Sequence, residues 1–341
     1  MKQLNLISDT ITKPNEAMLQ FMMKAEVGDD VFGQDPTINA LEKKLADMFD
    51  KEAAIFCPSG TMTNQLAIKC HTNALDELIC EKTSHVYQYE TGGYSYNSRI
   101  AINLIDGENG KLKPQQIEEA IRPDYDWLPN STLVSIENSC NKGGGSYYNL
   151  SEMKTISQTC RDNGLRLHLD GARLFNVLVE TGDKPNQIGP MFDSISICLS
   201  KGLGAPVGSV LIGDSSFIKK ARKFRKVMGG GMRQAGYLAA ACIYALDHNM
   251  PQLKIDNQNA KHIGVELLNL SYVESVKPVG TNIVIFTINA DLAVSDILIN
   301  LKEKGIDASQ FGPQDIRFVT HNGFEESDIK ELMHRMRLIE P

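Results

Sequence analysis

The stretch Leu167-His168-Leu169-Asp170-Gly171-Ala172-Arg173 is the part of the sequence that best indicates the fold. Residues 165–169 have the pattern of a buried strand, and an acidic residue follows them. A second apolar strand, residues 194–199, is followed by Ser200-Lys201-Gly202. Because parallel strands end at the same edge of a sheet, we expect Asp170 and Lys201 to lie where α/β proteins bind their ligands.

A carboxylate and an amine at one sheet edge have two interpretations. In the first, partial desolvation lowers the pKa of the lysine, so that its amine can form a Schiff base. The aspartate would face the pyridine nitrogen of bound pyridoxal 5′-phosphate (PLP) and keep that nitrogen protonated. The simpler alternative is a buried ion pair between Asp170 and Lys201 with no ligand. These two residues alone favour the ion pair, so the other motifs decide between them.

Short apolar runs alternate with helical patterns along most of the chain. The strand-like runs cover residues 53–57, 78–80, 133–137, 165–169, 194–199 and 207–213. Strands that alternate with helices predict an α/β fold, with a mainly parallel sheet covered by helices on both faces.

The pattern changes after two long predicted helices, residues 232–249 and residues 251 to 270. A strand, a helix, a strand and a helix follow, at residues 283–288, 291–304, 316–320 and 325–338. This order predicts a small α+β domain. We therefore expect an N-terminal arm at residues 1–33, which lies against a domain or a neighbouring chain, a large domain at 34–249 and a small one at 250–341.

Composition restricts the class of protein. The 341 residues are 42% hydrophobic and 23% charged, and their net charge of −7 argues against a nucleic-acid or anionic-membrane partner. Seven scattered cysteines without a CxxC pair are typical of a reducing compartment, so a soluble cytoplasmic protein is expected. The histidines form no recognisable metal motif, which predicts that no metal takes part in catalysis.

Two further segments suit an anion. Cys57-Pro58-Ser59-Gly60-Thr61-Met62-Thr63-Asn64 follows a strand and opens a helix, whose free N–H groups suit a phosphate; an ordinary helix cap is the alternative. In Gly229-Gly230-Gly231-Met232-Arg233-Gln234, three glycines precede Arg233 at a predicted helix start. A phosphate or carboxylate partner fits this arginine, and a hinge with a solvated arginine is the alternative.

Taken together, these motifs resemble the low-specificity L-threonine aldolase family, whose members are PLP enzymes of the aspartate-aminotransferase fold, fold type I. The resemblance extends over nearly the whole chain, and the order and spacing of its motifs are specific. It rests on Ser8-Asp9-Thr10, Ser59-Gly60-Thr61, His85 with Glu90-Thr91-Gly92-Gly93, Glu137-Asn138, His168–Arg173, Ser200–Gly208, Gly229–Gln234 and Arg317-Phe318-Val319-Thr320-His321.

The resemblance implies a role for each matching residue. Lys201 would form the Schiff base with PLP, Asp170 would hold the pyridine nitrogen and His85 would stack on the ring. The phosphate would be bound by Gly60, Thr61 and Arg233, with Lys226 nearby, and the amino-acid carboxylate by Ser8, Arg173 and Arg317. The resemblance also implies a homotetramer or homodimer with active sites at the subunit interface, and Lys226 would reach the phosphate from a neighbouring chain.

The implied reaction is cleavage of L-threonine and L-allo-threonine to glycine and an aldehyde. Its base would be His85, or a water activated by Glu90. The alternatives are β-elimination, transamination or racemisation on the same scaffold. A protein that binds PLP without catalysis is a further alternative, but a regulator of this fold would be expected to carry an added helix-turn-helix domain.

Two positions depart from the family pattern. Trp127 stands where the family often has a histidine that contacts the substrate hydroxyl, and Cys140 stands in Glu137-Asn138-Ser139-Cys140-Asn141, where the family commonly has Glu-Asn-Thr-His-Asn. Both changes concern contacts to the hydroxyl, and therefore the preference between the two diastereomers, rather than the lysine and aspartate that would hold PLP.

Overall fold

The computed structural model describes residues 2–339. The strands within this part of the chain are β1 (Leu4–Asn5), β2 (Ala53–Cys57), β3 (Asp76–Glu81), β4 (Ala101–Ile105), β5 (Asn130–Glu137), β6 (Arg166–Gly171), β7 (Ser194–Cys198), β8 (Ser209–Gly213), β9 (Val273–Val276), β10 (Ile283–Ile288), β11 (Ile306–Asp307), β12 (Ser309–Gln310) and β13 (Asp315–Val319). The predicted arm and small domain also include Met1, Glu340 and Pro341, which lie outside the described residues.

The helices connect these strands. They are α1 (Glu16–Met23), α2 (Pro36–Met48), α3 (Gly60–His71), α4 (His85–Gln88), α5 (Gly93–Ser98), α6 (Pro114–Ala120), α7 (Leu150–Asp162), α8 (Leu174–Thr181), α9 (Pro185–Ile188), α10 (Ser215–Val227), α11 (Gly236–His248), α12 (Met250–Leu267), α13 (Val294–Glu303) and α14 (Glu326–Arg337). Across residues 2–339, no helix combines the length and the apolar character needed to cross a lipid bilayer.

The large sheet has seven strands in the order β2-β8-β7-β6-β5-β3-β4. Strand β8 runs antiparallel to both of its neighbours, and the remaining strands are parallel to one another. The predicted α/β class, with a mainly parallel sheet, is therefore confirmed. The carboxyl ends of β5, β6 and β7 lie side by side, because Glu137 pairs with Asp170 and Asp170 with Ser196.

Side chains alternate between the two faces of β6 and β7. On one face, Leu167, Leu169, Ile195 and Ile197 belong to the main hydrophobic core. On the other, each strand turns polar side chains toward α3: His168 and Asp170 from β6, and Ser194 and Ser196 from β7, all fully or nearly fully buried. The apolar face anchors the two strands, and the polar face carries residues of the site described below.

The small domain contains a four-stranded antiparallel sheet, β12-β13-β10-β9. Its core includes Leu4 and Leu6 of the N-terminal arm, and β1 pairs in parallel with β11. Helix α12 joins the two domains, because Leu253 packs in the core of the large domain, and Ile263 and Leu267 pack in that of the small one.

The structure departs from the sequence interpretation in several elements. Helix α11 begins at Gly236 instead of residue 232, so Arg233 precedes the helix instead of starting it. The backbone carbonyl of Arg233 accepts a hydrogen bond from the backbone N–H of Asp30. This bond holds the residues around Arg233 outside the helix. The short strands β4 and β9 were not expected, nor was α1, where the Asn15 side chain caps the helix. Exposed apolar residues such as Leu19 and Met23 hide the periodicity of α1.

Candidate active site

A cavity of about 200 Å³ lies at the carboxyl edge of the large sheet. The structure brings Asp170, Lys201 and His85 together on its wall, with Gly60 and Thr61 from the predicted phosphate segment. The remaining lining residues are Pro58, Ser59, Asn64, Ala172, Cys198, Ser200, Pro206 and Val207. The predicted meeting of strand-end carboxylate and amine therefore occurs at a cavity open to a ligand.

The start of α3 forms one end of this cavity. Ser59 caps the helix by accepting a hydrogen bond from the Met62 backbone N–H, and the helix dipole directs its positive end to the cavity. A Cβ atom at Gly60 would lie 2.5 Å from Cys198 Sγ, so only glycine fits beside β7 here. The backbone can thus approach a ligand closely, as a phosphate site requires.

Asp170 ends β6 with both carboxylate oxygens accepting hydrogen bonds. The Ala172 backbone N–H donates to Oδ1 at 3.1 Å, and Asn64 Nδ2 donates to Oδ2 at 2.9 Å. These bonds fix the plane of a side chain that is only 3% exposed. A carboxylate fixed in this way can accept a further hydrogen bond from a ring nitrogen in the cavity.

His85 and Glu90 form a second unit beside Asp170. His85 Nδ1 lies 2.9 Å from Glu90 Oε1, and Glu90 also accepts hydrogen bonds from Asn64 and Gln65. Burial lowers the pKa of His85, but the hydrogen bond to Glu90 and the charge of Asp170 raise it, and the net direction is upward. Glu90 is buried beneath His85 and does not line the cavity, which leaves His85 Nε2 as the ring nitrogen available to a substrate.

Arg173 and Arg317 come from the two domains and lie near each other, but neither lines the cavity. Arg173 is buried and donates two hydrogen bonds of 2.7 Å to the carboxylate of Asp9. Arg317 donates to the Asn141 side chain and the Ile7 carbonyl, and its buried Nε has no partner among the described residues. Burial and the Arg173 charge lower the pKa of Arg317 to about 10, so the two guanidinium groups repel each other and favour an anion between them.

Ser8, Arg233 and Lys226 lie apart from the cavity wall. Ser8 Oγ accepts a hydrogen bond from the Thr10 backbone and so caps the short 3₁₀ turn that holds Asp9. Arg233 is exposed and pairs with Asp29 at 2.8 Å. Lys226 lines a separate groove of about 380 Å³ that also contains Arg222. Neither Arg233 nor Lys226 lines the cavity of its own chain, so the structure does not bring them to Gly60 and Thr61.

Asp9, Asn64 and Glu137 were given no role in the sequence interpretation. Glu137 ends β5 beside Asp170 and accepts hydrogen bonds from the backbone N–H groups of His85 and Asn141. Burial, followed by repulsion from Asp170, raises the pKa of Glu137 to about 7. The strand-end argument that predicts the position of Asp170 applies equally to Glu137. No such signal exists for Asp9, whose partner is remote in sequence.

The two departures from the family pattern lie outside the cavity lining. Trp127 is 77% exposed, stacks on Tyr125 and precedes β5, so it lies at the amino end of this strand. Cys140 is buried, and its thiol donates to the backbone carbonyls of Glu137 and Gly110. Neither side chain contributes a hydroxyl-binding group to the cavity of its own chain.

Three possible metal ligands, His85, Glu90 and Asp170, have ligand atoms within 4.8 Å of one another. Hydrogen bonds account for this closeness, because His85 pairs with Glu90, and Asn64 donates to both carboxylates. The expectation that catalysis uses no metal stays a prediction.

Comparison with known proteins agrees with this geometry. A family model described as beta-eliminating lyase matches residues 5–291. Low-specificity L-threonine aldolase 1 of Arabidopsis thaliana is 38% identical over 96% of this chain and 94% of its own length. The chain belongs to the beta-eliminating lyase family, among the low-specificity L-threonine aldolases. The resemblance of the sequence motifs to this family is thereby confirmed.

Two further relatives agree with this membership. The low specificity L-threonine aldolase of Escherichia coli K12 is 43% identical over 77% of this chain and 79% of its own length. The solved structure of Leishmania major threonine aldolase superposes with a TM-score of 0.83, covers 98% of this chain and 99% of its own, and is 21% identical. At that identity the structural match supports the fold, and the fold type I expectation is confirmed.

The cavity fits PLP, the cofactor implied by the family. The capped start of α3 with its obligatory Gly60 suits the phosphate, Asp170 suits the pyridine nitrogen and Lys201 supplies an amine on the same wall.

Proposed function

We propose that this protein is a PLP-dependent lyase that cleaves L-threonine, L-allo-threonine and related β-hydroxy-α-amino acids to glycine and an aldehyde. The observation that carries the proposal is the convergence of Asp170, Lys201 and His85 on one cavity beside the phosphate-binding start of α3. The family relatives named above support the substrate class. When bound, PLP supplies an electron sink for the bond that breaks at Cα of the amino acid.

The protein's own groups would fix the cofactor in place. Lys201 holds it covalently and Asp170 accepts a hydrogen bond from the ring nitrogen. His85 lies on the cavity wall at a position suited to stack on the ring face, while its backbone N–H is held by Glu137. Asp170 lies near the end of β6, His85 begins α4, and Lys201 lies in the turn three residues after β7.

The arginines would orient the substrate. Cleavage requires the Cα–Cβ bond to stand perpendicular to the ring plane, so the carboxylate must be held at a fixed angle. Arg317 offers an unpaired, buried Nε, and Arg173 lies close enough for the two charges to repel. Asp9 occupies two nitrogens of Arg173, and this pairing fixes the guanidinium plane. We assign Ser8 a supporting role, since it caps the turn that carries Asp9.

His85 Nε2 would accept the proton of the β-hydroxyl. Its Nδ1 is bound to Glu90, whose two oxygens already accept hydrogen bonds from three side chains. Glu90 is therefore better placed to orient His85 than to activate a water. The upward shift of the His85 pKa makes the imidazole a stronger base once its proton has left.

Product analysis tests the proposed reaction. The purified holoenzyme is incubated with L-threonine and with L-allo-threonine, and glycine and acetaldehyde are quantified. We expect each substrate to give glycine and acetaldehyde in equal amounts. The Lys201→Ala variant should give neither product. Ammonia with an α-keto acid would indicate β-elimination, an amino-group acceptor requirement would indicate transamination, and D-threonine or D-allo-threonine as the product would indicate racemisation. Any of these outcomes, without glycine, overturns the proposal.

We further propose a homotetramer or homodimer in which a neighbouring chain supplies Lys226 and Arg233 to the phosphate. Both side chains are exposed and neither lines the cavity of its own chain. Large apolar side chains near these two residues are strongly exposed. Val227 follows Lys226 in sequence, and the Phe32 ring lies 5.8 Å from the Arg233 guanidinium group. Met23 of α1 is also strongly exposed. An apolar surface of this kind is expected to be covered by another chain.

Subunit mixing tests this assembly. Lys201→Ala and Arg233→Ala each remove activity from a pure oligomer if both residues serve the cavity. Co-expression of the two variants should restore activity, because mixed oligomers contain cavities with both residues intact. A lack of recovery, with mixed oligomers shown by mass spectrometry, would place both residues in the same chain's site. Light scattering distinguishes the dimer from the tetramer.

The proposed compartment is the cytoplasm. All seven cysteines are buried and free, as in proteins that live under reducing conditions. Fractionation of cells that express the tagged protein at native levels would test this assignment.

A further inference from the structure

A buried polar seam runs beneath α3. It is formed by alternate residues of β6 and β7, His168 with Asp170 and Ser194 with Ser196. A sheet face covered by a helix is ordinarily apolar, because a buried polar group is costly unless it is hydrogen-bonded. The direction of the hydrogen bonds in this seam therefore indicates what the polar residues do.

A continuous chain of hydrogen bonds follows the seam from the far end of α3 to the cavity. His71 Nε2 lies 2.8 Å from Ser194 Oγ, and the same oxygen lies 2.8 Å from His168 Nδ1. His168 Nε2 lies 3.1 Å from Asn64 Oδ1. Asn64 Nδ2 then donates to Asp170 Oδ2 and Glu90 Oε1, each at 2.9 Å. Asn64 and His71 lie two turns apart on one face of α3.

The two carboxylates determine the direction of every bond in this chain. Asp170 and Glu90 both face the Asn64 amide as acceptors, so the NH₂ group must point to them and the oxygen must point to His168. His168 Nε2 must then carry the hydrogen. Since a neutral imidazole has one acceptor nitrogen, His168 Nδ1 accepts the hydroxyl hydrogen of Ser194, and Ser194 Oγ in turn accepts from His71 Nε2.

The environment of both histidines favours the neutral ring that these bonds require; His168 is fully buried and His71 is partly buried. Burial lowers the pKa of His168 to about 4, against the opposing charge of Asp170. Burial and the neighbouring His168 lower the pKa of His71 to about 3. The charged groups that face His71 are Arg166, Asp193 and Lys220. They line a surface groove at the end of the hydrogen-bond series where His71 lies. Both histidines are therefore neutral at physiological pH.

We propose that His71, Ser194 and His168 are positioning residues that hold the Asn64 amide with its NH₂ group toward Asp170 and Glu90. Through the Asn64 amide, this series of hydrogen bonds fixes two carboxylates. One is Asp170, which would bind the ring nitrogen, and the other is Glu90, which orients His85. This inference rests on the proposed function for the roles of Asp170 and His85. The arrangement of the four residues does not depend on that function.

Ser196 provides an internal comparison. It lies two residues from Ser194 on β7, is equally buried and bonds to α3 through Thr63 Oγ1 at 2.6 Å. That bond ends at Thr63, which donates to the Gly60 carbonyl of its own helix, and it does not reach either carboxylate. Loss of the Ser196 hydroxyl should therefore affect stability alone, whereas loss of the Ser194 hydroxyl should also release Asn64.

The first test uses the wild-type protein without cofactor. Nitrogen-15 NMR of the imidazole rings at pH 7 should show His71 and His168 as neutral Nε2–H tautomers, and neither should titrate between pH 5.5 and 8. A His168 ring that is protonated at Nδ1, or that titrates within this range, overturns the proposal. This measurement is independent of any reaction that the protein catalyses.

The second test compares Ser194→Ala with Ser196→Ala, and Ser194→Thr restores the hydroxyl. Ser194→Ala should weaken PLP binding to the cofactor-free protein by about two- to tenfold, as expected for one lost hydrogen bond. It should also shift the pH dependence of kcat/KM, and Ser194→Thr should return both toward wild type. Ser196→Ala should leave both unchanged. Equal effects of the two alanine variants would show that the seam is merely structural.

The outcomes separate this inference from the proposed function. If wild type forms no glycine yet the NMR tautomers and the difference in PLP affinity are as expected, the proposed reaction fails and the positioning role stands. If Ser194→Ala does not fold, His168→Gln takes its place, because an amide N–H can still donate to Asn64. We expect His168→Gln to bind PLP with an affinity close to wild type, and His168→Leu to lose PLP affinity. Equal PLP affinity in the two variants overturns the proposal.

Discussion

Asp9 and Arg173 form a buried ion pair that ties the N-terminal arm to the end of β6. Each oxygen of Asp9 lies 2.7 Å from a guanidinium nitrogen, and both side chains are almost fully buried. Burial raises the pKa of Asp9, but Arg173 and Lys201 outweigh it and hold the pKa well below its ordinary value of 3.8. Asn282 donates a third hydrogen bond, from β10's edge of the small domain.

Replacement of Asp9 tests the contribution of this pair to stability. Asp9→Asn should lower the free energy of unfolding at pH 7 by about 3 kcal/mol, because the Arg173 charge remains buried without a counterion. The loss should vanish at strongly acidic pH, since stability from a lowered carboxylate pKa disappears as the pH falls below that pKa. Urea unfolding at pH 7 and at strongly acidic pH measures the loss of free energy and its disappearance. Asp47→Asn, which breaks an exposed pair with Lys43, should cost less than about 0.5 kcal/mol.

The two arginines should differ in what a lysine replacement does. Arg173→Lys and Arg317→Lys should each weaken amino-acid binding by about 1.5–3 kcal/mol, the value of a lost charge-assisted contact, while PLP remains bound. Arg173→Lys should also lower the melting temperature, and by more than Arg317→Lys, because it loses the buried two-bond contact with Asp9. Steady-state kinetics and cofactor absorbance measure these effects. Loss of PLP with an unchanged KM would instead assign the arginines to the phosphate.

The fold and the centre of the site could be predicted from the sequence because they depend on local patterns. Asp170 and Lys201 each follow a buried strand, and the parallel order of those strands brings them to one edge. Gly60 follows a strand and opens a helix, the pattern from which an anion site is predicted, and the structure places it at the cavity. Each prediction uses one segment and one general rule of α/β structure.

The parts that could not be predicted are pairings between distant segments. No local pattern relates Asp9 to Arg173, because the choice of partner depends on how the arm crosses the domain. The bonds of Asn64 to Asp170 and Glu90 depend on the packing of α3 over the sheet. The start of α11 was misplaced because a tertiary hydrogen bond, from Asp30 to Arg233, holds the residues before it outside the helix.

The pH dependence of turnover should report the His85–Glu90 pair. His85 must be neutral to accept a proton at Nε2, so kcat/KM should rise as the pH rises through the pKa of His85. Glu90 raises that pKa through its hydrogen bond, so Glu90→Gln should move the acid limb to lower pH. His85→Asn should abolish this limb. An acid limb that stays in place in Glu90→Gln would assign the titration to another group.

Asp256 should make the protein less stable as the pH rises through weakly acidic values. Burial raises the pKa of Asp256 from 3.8 to about 7, and its Oδ2 has no hydrogen-bond partner among the described residues. Between these two values the folded protein keeps a proton that the unfolded chain releases, so the free energy of unfolding falls as the pH rises.

Asp256→Asn should remove this part of the pH dependence. Relative to wild type, the variant should gain stability between pH 4 and pH 7 by a few kcal/mol, since each unit of pKa difference corresponds to about 1.4 kcal/mol. Urea unfolding across this range measures the gain, and the exposed Asp291→Asn serves as the control. Parallel curves for wild type and Asp256→Asn would show that Asp256 is ionised in the folded protein.

The diastereomer preference should be weak. The resemblance aligns Trp127 with the histidine that the family often has, and Trp127 does not line the cavity of its own chain. We therefore expect discrimination to depend on few polar contacts. One hydrogen bond of about 0.5–1.5 kcal/mol gives only about a two- to twelvefold ratio. We therefore expect cleavage of both L-threonine and L-allo-threonine, with D-isomers rejected because their carboxylate would miss Arg173 and Arg317.

His85→Asn should slow both substrates alike. Trp127→His should change their ratio more than the overall rate. Values of kcat/KM for the two substrates decide the matter: a wild-type preference above about a thousandfold, roughly 4 kcal/mol, contradicts the prediction, and so does an unchanged ratio in Trp127→His.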